Sequence, residues 1–473
     1  MNAAEAGVLT LYYAVLSVLA VYSIHRFYLV RLRRRSPEPP RAIADVYPPI
    51  TIQLPLYNEP NVAARLIEAV SRLDYPGTLD IQVLDDSTDE TSAIVAEAAQ
   101  RDPRIAHIRR ETREGFKAGA LAHGLALSHA ELFAVLDADF VPPPDLLLRM
   151  VPYFADARVG MVQARWTHLN RNESLLTRVQ ALFLDAHFAV ESAARNFGGR
   201  FFNFNGTAGV WRRAAIEEAG GWSSSTLTED LDLSYRAQLA GWQFVFVNDI
   251  EVPAELPAAL SGFQDQQHRW AKGSIQTARK LLGGIAASGL PRATKVEALF
   301  HLTNNAAYLL SVILALVIVP AMLVRYEHDL QWTFAIDLIL FIASSGSVLL
   351  FYSEGQRWAG RPAPRLRELL AVLPVGVGMA VRNASAVIEG LFEHGGYFKR
   401  TPKVGDGKRT MRRMERRAAV AEAALALFFL GTIVSFAVAG YWTALPFLSL
   451  FASGYTSFAY LNLRESRDAY GVR

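Results

Sequence analysis

Leu132-Phe-Ala-Val-Leu136 runs directly into Asp137-Ala-Asp139, and Phe140 and the Pro142–Pro144 run close the stretch. Five apolar residues ending in acids and then in helix-breaking prolines predict a buried strand with two carboxylates at its carboxyl end. Working outward, Ile50-Thr-Ile-Gln-Leu54, Ile81-Gln-Val-Leu84 and Ile105–Ile108 read as strands. Asn61–Leu73, Thr91–Gln100 and Lys117–Ser128 read as helices between them. This alternation predicts an α/β domain with a parallel or mixed sheet covered by helices on both faces. Ligands of such sheets bind beyond the carboxyl ends of strands. Polar clusters sit at those ends: Pro55-Leu-Tyr57-Asn-Glu59, Asp85-Asp86-Ser-Thr-Asp89 and Asp137-Ala-Asp139. Neither a Gly-x-Gly-x-x-Gly fingerprint nor a Walker lysine loop is present, so dinucleotide and P-loop chemistry lack support.

Two hard oxygen ligands one residue apart, Asp137 and Asp139, can hold Mg2+ or Mn2+ together with a diphosphate. An isolated Asp-x-Asp is more often a solvated turn, and its place at a strand end reverses that preference toward the metal. Asp85 and Asp86 follow their strand in the same way, with an Asx turn capping the next helix as the other reading. Further on come Thr228-Glu229-Asp230 and Gln266-Gln-His-Arg269-Trp270. An Asp beside a bound diphospho-sugar can accept a proton from an attacking hydroxyl. An Arg with a Gln and a Trp can hold a leaving diphosphate and stack on a sugar face. Taken singly, the first is a helix N-terminus with acids in its first turn and the second an amphipathic helix.

The chain has 473 residues, 51% hydrophobic and 20% charged, with no cysteine and a formal charge of +3. Absence of Cys excludes disulfides, thiolate catalysis, Cys-ligated zinc and iron–sulfur clusters. The mean hydropathy of +0.16 averages two materials, because residues 48–297 resemble a soluble domain and both flanks are apolar. The pI of about 9.0 does not point to nucleic acid, since the basic residues cluster beside the apolar runs. Gly7–Ile24 is an apolar run followed by Arg26, Arg31 and Arg33–Arg35, so it reads as a span with its N-terminus outside rather than a cleaved leader. Ala298–Val324 and Trp332–Ser353 read as two more spans. Asp337 in the second is either paired in the bilayer or interfacial. Leu369–Val381 is too short to cross and reads as interfacial or re-entrant. Ala423–Leu463 lacks any charge and reads as two spans hinged near Gly440–Trp442, for five in all. The implied organisation is a membrane helix (1–31), a cytoplasmic catalytic domain (48–297), two spans (298–353), cytoplasmic interface helices (354–418) and two final spans (419–464).

The ordered set Asp85/Asp86, Asp137-x-Asp139, Thr228-Glu229-Asp230 and Gln266-x-x-Arg269-Trp270 resembles the D, DxD, TED and QxxRW signature of family 2 glycosyltransferases. The likeness is to the processive, membrane-embedded, cellulose-synthase-like group. The stretch from Phe202-Asn-Phe-Asn205-Gly206-Thr-Ala-Gly-Val-Trp-Arg212 to Glu229-Asp-Leu-Asp-Leu-Ser-Tyr-Arg236 is most similar to its mannan- and glucan-synthase (cellulose synthase-like A/C) branch. The resemblance implies a GT-A-type α/β domain joined to transmembrane helices. It implies that Tyr57, Glu59, Asp85 and Asp86 meet the nucleoside of a UDP- or GDP-linked sugar and that Lys117 holds the nucleotide. Asp137 and Asp139 would carry the diphosphate and a Mg2+ or Mn2+ ion, and Asp230 would be the catalytic base. Gln266 and Arg269 would face the leaving diphosphate. Trp270, Asn205, Gly206 and Glu229 would line the acceptor, although Asn205–Gly209 is also readable as a tight turn. Phe398-Lys-Arg-Thr401-Pro-Lys403 resembles the family's F-x-V-T-x-K gating loop, with Arg400 in place of Val and a basic membrane-facing linker as the other reading.

The activity so implied is inverting, processive β-transfer of a hexose to a growing β-1,4-glucan or (gluco)mannan, with export through the enzyme's own spans. Asn304, Asn305, Tyr308, Trp332, Asn383 and Phe392 are candidate channel residues. The implied setting is a bilayer with the catalytic domain in the cytoplasm, at the plasma or inner membrane in bacteria or the Golgi in eukaryotes. Two other readings are a non-processive glycosyltransferase acting on a ceramide- or diacylglycerol-type lipid acceptor, and a catalytically inactive nucleotide-sugar binder.

Overall fold

The computed structural model describes residues 1–40, 42, 43, 46–396 and 413–470. The expected gating-loop residues Phe398, Thr401 and Lys403 lie outside them. Seven strands form one mixed sheet: β1 (Ile50–Leu56), β2 (Leu79–Asp85), β3 (Ile105–Ile108), β4 (Leu132–Val135), β5 (Val159–His168), β6 (Gly209–Arg212) and β7 (Gln243–Ala254). Their order is β3-β2-β1-β4-β6-β5-β7. β1 pairs parallel with β2 and β4, and β6 runs antiparallel between β4 and β5. The parallel strands β1, β2 and β4 therefore end on one edge, which gathers the three polar clusters there.

Period-two alternation sorts each strand between two cores. Ile50, Ile52, Leu54, Leu132 and Ala134 pack on one face, and Phe133 and Val135 pack with Leu121, Phe204 and Trp211 on the other. All but Ala134 are fully buried, each large side chain contributing about 1.5–3 kcal/mol of transfer free energy. The helix Phe116–Ala126 lies close on the second face because Gly124 has no Cβ. A methyl there would stand 2.6 Å from the Gln53 and Gln82 amides.

Outside this sheet, four helices among the described residues are long and apolar enough to cross a membrane: Ala3–Arg35, Ala306–Glu327, Gln331–Trp358 and Arg416–Val438. Five are reached if the bent pair Leu366–Gly378 and Ala380–Phe392 is counted as one span, while two of the expected segments differ in detail. The helix Leu445–Tyr470 has the length, but Ser453, Gly454, Thr456, Ser457 and Asn462 dilute its apolarity, and it does not meet the criterion. Expected as one span, Ala298–Val324 is broken at Asn304–Asn305 into Arg292–Thr303 and Ala306–Glu327, with Asn305 Nδ2 donating to Ser274 Oγ at 2.7 Å. Leu366–Gly378 and Ala380–Phe392 form a pair bent by 48°, in keeping with a broken or re-entrant element. Asp337 is paired: Arg325 Nη1 donates to it at 2.6 Å and Tyr12 Oη at 2.9 Å. That partnership lets a carboxylate sit among the apolar helices.

Candidate active site

One cavity opens at the carboxyl ends of β1, β2 and β4 and brings together most of the expected residues. Tyr57, Glu59, Asp86, Lys117, Asp137, Asp139, Asn205, Gly206, Glu229, Asp230, Gln266, Arg269 and Trp270 all line it. Asp85 is the exception and corrects the expectation for it. As the last residue of β2 its side chain turns inward, taking hydrogen bonds from Ser87 N at 2.9 Å, Ser92 Oγ at 2.6 Å and His107 Nε2 at 2.8 Å. These bonds outweigh burial and hold its carboxyl below the usual range. Asp85 organises the turn, and Asp86, on the opposite side of the chain, reaches the cavity. There Asp86 accepts from Arg110 Nε at 3.0 Å, and the same guanidinium ties Glu114 O and Phe116 O.

The first strand delivers Tyr57 through a turn in which Asn58 takes a left-handed conformation, φ 55°. Asn58 is held there by its backbone N–H donating to Ser87 Oγ and by its side chain accepting from Thr88 N. Arg113 stacks its guanidinium 3.3 Å from the centre of the Tyr57 ring, a cation–π contact on the cavity wall. Sequence reasoning missed Arg113, as it did Trp166, His168 and Glu255, which also line the cavity. No local pattern marks them, because they come from the end of β5, the residue after β7 and the loop before the helix Phe116–Ala126, which only the fold brings together.

Asp137 and Asp139 leave β4 on the cavity side, with Asp137 N donating to Thr207 Oγ1 at 2.8 Å. Lys117 pairs with Asp137 and donates to Gly206 O at 2.9 Å. Burial opposes the charge on this lysine; Asp137, Glu229 and Asp230 outweigh it and hold the ammonium above its ordinary range. Arg269 stands in the same field, its guanidinium lowered from its ordinary value by burial and supported by Glu229, Asp137 and Asp230. The walls carry seven carboxylates (Glu59, Asp86, Asp137, Asp139, Glu229, Asp230, Glu255) against three cationic side chains, Arg113, Lys117 and Arg269. Asp137 and Asp139 themselves offer hard oxygen donors, the kind that suits Mg2+ or Mn2+ and not a softer metal.

Asp230 comes from the first turn of the helix Glu229–Leu239, whose Thr228 cap is braced against the helix Leu260–Ala287. The two elements touch so closely that a Cβ on Gly273 would lie 2.5 Å from the Thr228 side chain, and Leu227 N donates to Gln276 Oε1 at 2.9 Å. The TED and QxxRW residues are thereby fixed relative to one another. Asp230 is pushed up to about 7, by burial first and by the adjacent Glu229 second. Gly206, at φ +84°, lies against it: a Cβ there would stand 3.0 Å from Asp230 Oδ2. A carboxyl raised toward neutrality, a wall of acidic and basic side chains, and an aromatic face converge on one cavity.

Residues 48–273 match the family model described as "Glycosyltransferase like family 2". This domain is a family 2 glycosyltransferase. Glucomannan 4-beta-mannosyltransferase 2 of Arabidopsis thaliana is 44% identical over 246 residues, 50% of this chain and 45% of that protein. Glucomannan 4-beta-mannosyltransferase 1 of Cyamopsis tetragonoloba is 38% identical over 304 residues, 61% of this chain and 58% of that protein. The chain spans about half the length of the curated relatives it matches. Among solved structures, the mannosyltransferase PcManGT from Pyrobaculum calidifontis in complex with GDP-Man and Mn2+ superposes with a TM-score of 0.55. It is 19% identical and covers 81% of this chain and 99% of that one, a likeness of fold. The domain thus has a GT-A-like architecture, accompanied by helices suited to a membrane.

Proposed function

We propose that this glycosyltransferase transfers mannose from GDP-mannose, with inversion, to a β-1,4-linked mannan or glucomannan chain at a membrane. The single observation that carries the chemistry is the convergence of Asp230, Lys117, Arg269 and the Asp137/Asp139 pair on one cavity wall. The choice of mannose rests on the glucomannan mannosyltransferase relatives and on the GDP-Man bound by the Pyrobaculum neighbour.

In this reading the acceptor hydroxyl attacks C1 of the donor, the C1–O bond to the diphosphate breaks, and the hydroxyl proton passes to the Asp230 carboxylate. Arg269 and Lys117 place positive charge where the leaving nucleoside diphosphate gains negative charge. A divalent ion held by Asp137 and Asp139 would add to that neutralisation. Trp270 offers an aromatic face to the acceptor's terminal sugar. Processive extension and export through the membrane helices extend the same reading.

Nucleotide release from GDP-mannose and from UDP-glucose, each with Mn2+ or Mg2+, tests the donor. Release of GDP with a product cut by endo-β-mannanase supports mannan synthesis, and EDTA is expected to abolish it. Release of UDP with a cellulase-sensitive product overturns the mannose assignment. A radiolabelled product that partitions into organic solvent identifies a lipid acceptor, and one sugar per acceptor sinks processivity.

A further inference from the structure

Behind the Asn205–Gly206 wall lies a polar network outside the catalytic motifs. It begins in a single π-helical segment, His187–Ser192, inserted between the helices Leu175–Ala186 and Ala193–Phe197. Such insertions cost helix stability and recur at functional positions. His187 uses both ring nitrogens: Nε2 faces Asn205 Oδ1 at 2.8 Å and Nδ1 faces Glu191 Oε2 at 3.1 Å. Glu191 pairs with Arg195 at 3.5 Å, Arg195 Nε donates to Glu297 Oε1 at 2.9 Å, and His25 Nε2 bonds Glu297 Oε2 at 2.8 Å. The His25 ring stacks on Phe300, 4.1 Å between centroids. The path thus runs from the cavity wall to the first membrane-type helix, Ala3–Arg35.

Asn205 has its orientation over-determined. Its Oδ1 also accepts from Asn203 Nδ2 at 3.2 Å, its Nδ2 donates to Asn203 O at 3.2 Å, and its backbone N–H donates to Gln163 Oε1 at 3.0 Å. His187, at 2.8 Å, makes the shortest of the side-chain contacts that set which way the carboxamide faces. Glu191, kept ionised by Arg195 and His187 against the effect of burial, locks the imidazole in turn. Removing His187 takes the shortest of these bonds from Asn205 and one of the two partners of Glu191, a loss on the order of one hydrogen bond.

We propose that His187 is a positioning residue for the acceptor: it sets the Asn205 carboxamide beside Gly206 and Asp230, and the Glu191–Arg195–Glu297–His25 chain anchors that setting to the membrane helix. This rests on the reading of the Asn205–Gly206 wall as the acceptor side of the cavity.

The test uses full-length protein in lipid nanodiscs with GDP-mannose and β-1,4-mannohexaose, or with UDP-glucose and cellohexaose if UDP-glucose is the donor turned over. His187→Phe is expected to raise the acceptor KM about tenfold, the equivalent of one good hydrogen bond. Donor KM and the slow hydrolysis of donor by water are expected to stay within about twofold. His187→Gln, which can still donate to Asn205, recovers most of the loss. Asn205→Ala reproduces it, and the double variant is no worse than either single one. An acceptor KM within twofold of wild type in His187→Phe, a parallel loss of donor hydrolysis, or additive effects overturns the proposal. If Asn205→Ala raises the acceptor KM and His187→Phe does not, the wall reading stands and the role of His187 falls. If Asn205→Ala has no effect, the wall reading itself falls. Should His187→Phe fail to fold, Glu191→Gln is expected to give the same KM split at about threefold, and an unchanged acceptor KM there overturns the proposal. Release of neither nucleotide by wild type overturns both.

Discussion

Asp185 is fully buried and Asp230 is half-buried on the cavity wall, and their surroundings send them in opposite directions. Asp185 lies at the seam between the helix Leu175–Ala186 and the membrane-type helix Gln331–Trp358. There it pairs with Arg171, accepts from Gln356 Nε2 at 2.8 Å and lies 3.4 Å from His168 Nε2. Burial opposes its charge, but His168 and Arg171 prevail and hold its carboxyl well below the usual range. Asp230 has burial and an adjacent acid, and Lys117, which pairs with Asp137, offsets them only in part. Partners, not depth, separate a carboxylate that cements an interface from one ready to take a proton.

The sharpest way to break this comparison is Asp230→Asn. Turnover is expected to fall at least about a thousandfold, with GDP affinity within threefold by calorimetry; substantial residual turnover would remove Asp230 as the base. The same substitution is expected to stabilise the fold at pH 8. A carboxyl raised to about 7 costs stability as pH rises from the ordinary carboxylate range through 7, because the folded state holds a proton that the unfolded state has released. The thermal midpoint should therefore rise at pH 8 and match wild type below pH 4.

Asp185→Ala belongs to the other side of the contrast. Stranding the Arg171 charge and Gln356 is expected to cost about 3–5 kcal/mol, read from denaturant unfolding. Since its carboxyl is depressed, the stability it supplies is present at neutral pH and is lost only as pH falls below the ordinary carboxylate value. Equal stability of the two proteins at pH 7 would refute the pairing.

A finer cut is Glu229→Gln. With the adjacent negative charge gone, the rise of kcat/KM with pH, centred near 7 in wild type, is expected to move to lower pH. An unmoved profile would leave burial as the sole cause. Smallest is Arg113→Ala, which removes the stacked wall over Tyr57 and is expected to weaken GDP binding about fivefold, while the pH profile stays in place.

How much of this was legible beforehand follows from which interactions are local. The strand Leu132–Val135 and its terminal acids were readable because apolar runs, acids and prolines speak within ten residues. Asp85 and Asp86 were not separable, since each follows the same apolar run and only the pairing of His107 and Ser92 with one of them decides which faces inward. Arg113 and His168 carried no signal because their neighbours in space are distant in sequence. The broken span at Asn304–Asn305 was hidden by its lack of charge, and Asn305 finds its partner in Ser274 only in the folded chain.

By itself, the sequence determined the α/β alternation, the placing of carboxylates at strand ends and the order of the four motifs, all products of local stereochemistry and burial. Only the tertiary structure decided which acids have cationic partners, how near neutrality Asp230 titrates, and that His187 reaches Asn205 across eighteen residues of chain. A carboxylate's energy depends on the charges and dielectric a few ångströms away, and those are set by packing rather than by the letters beside it.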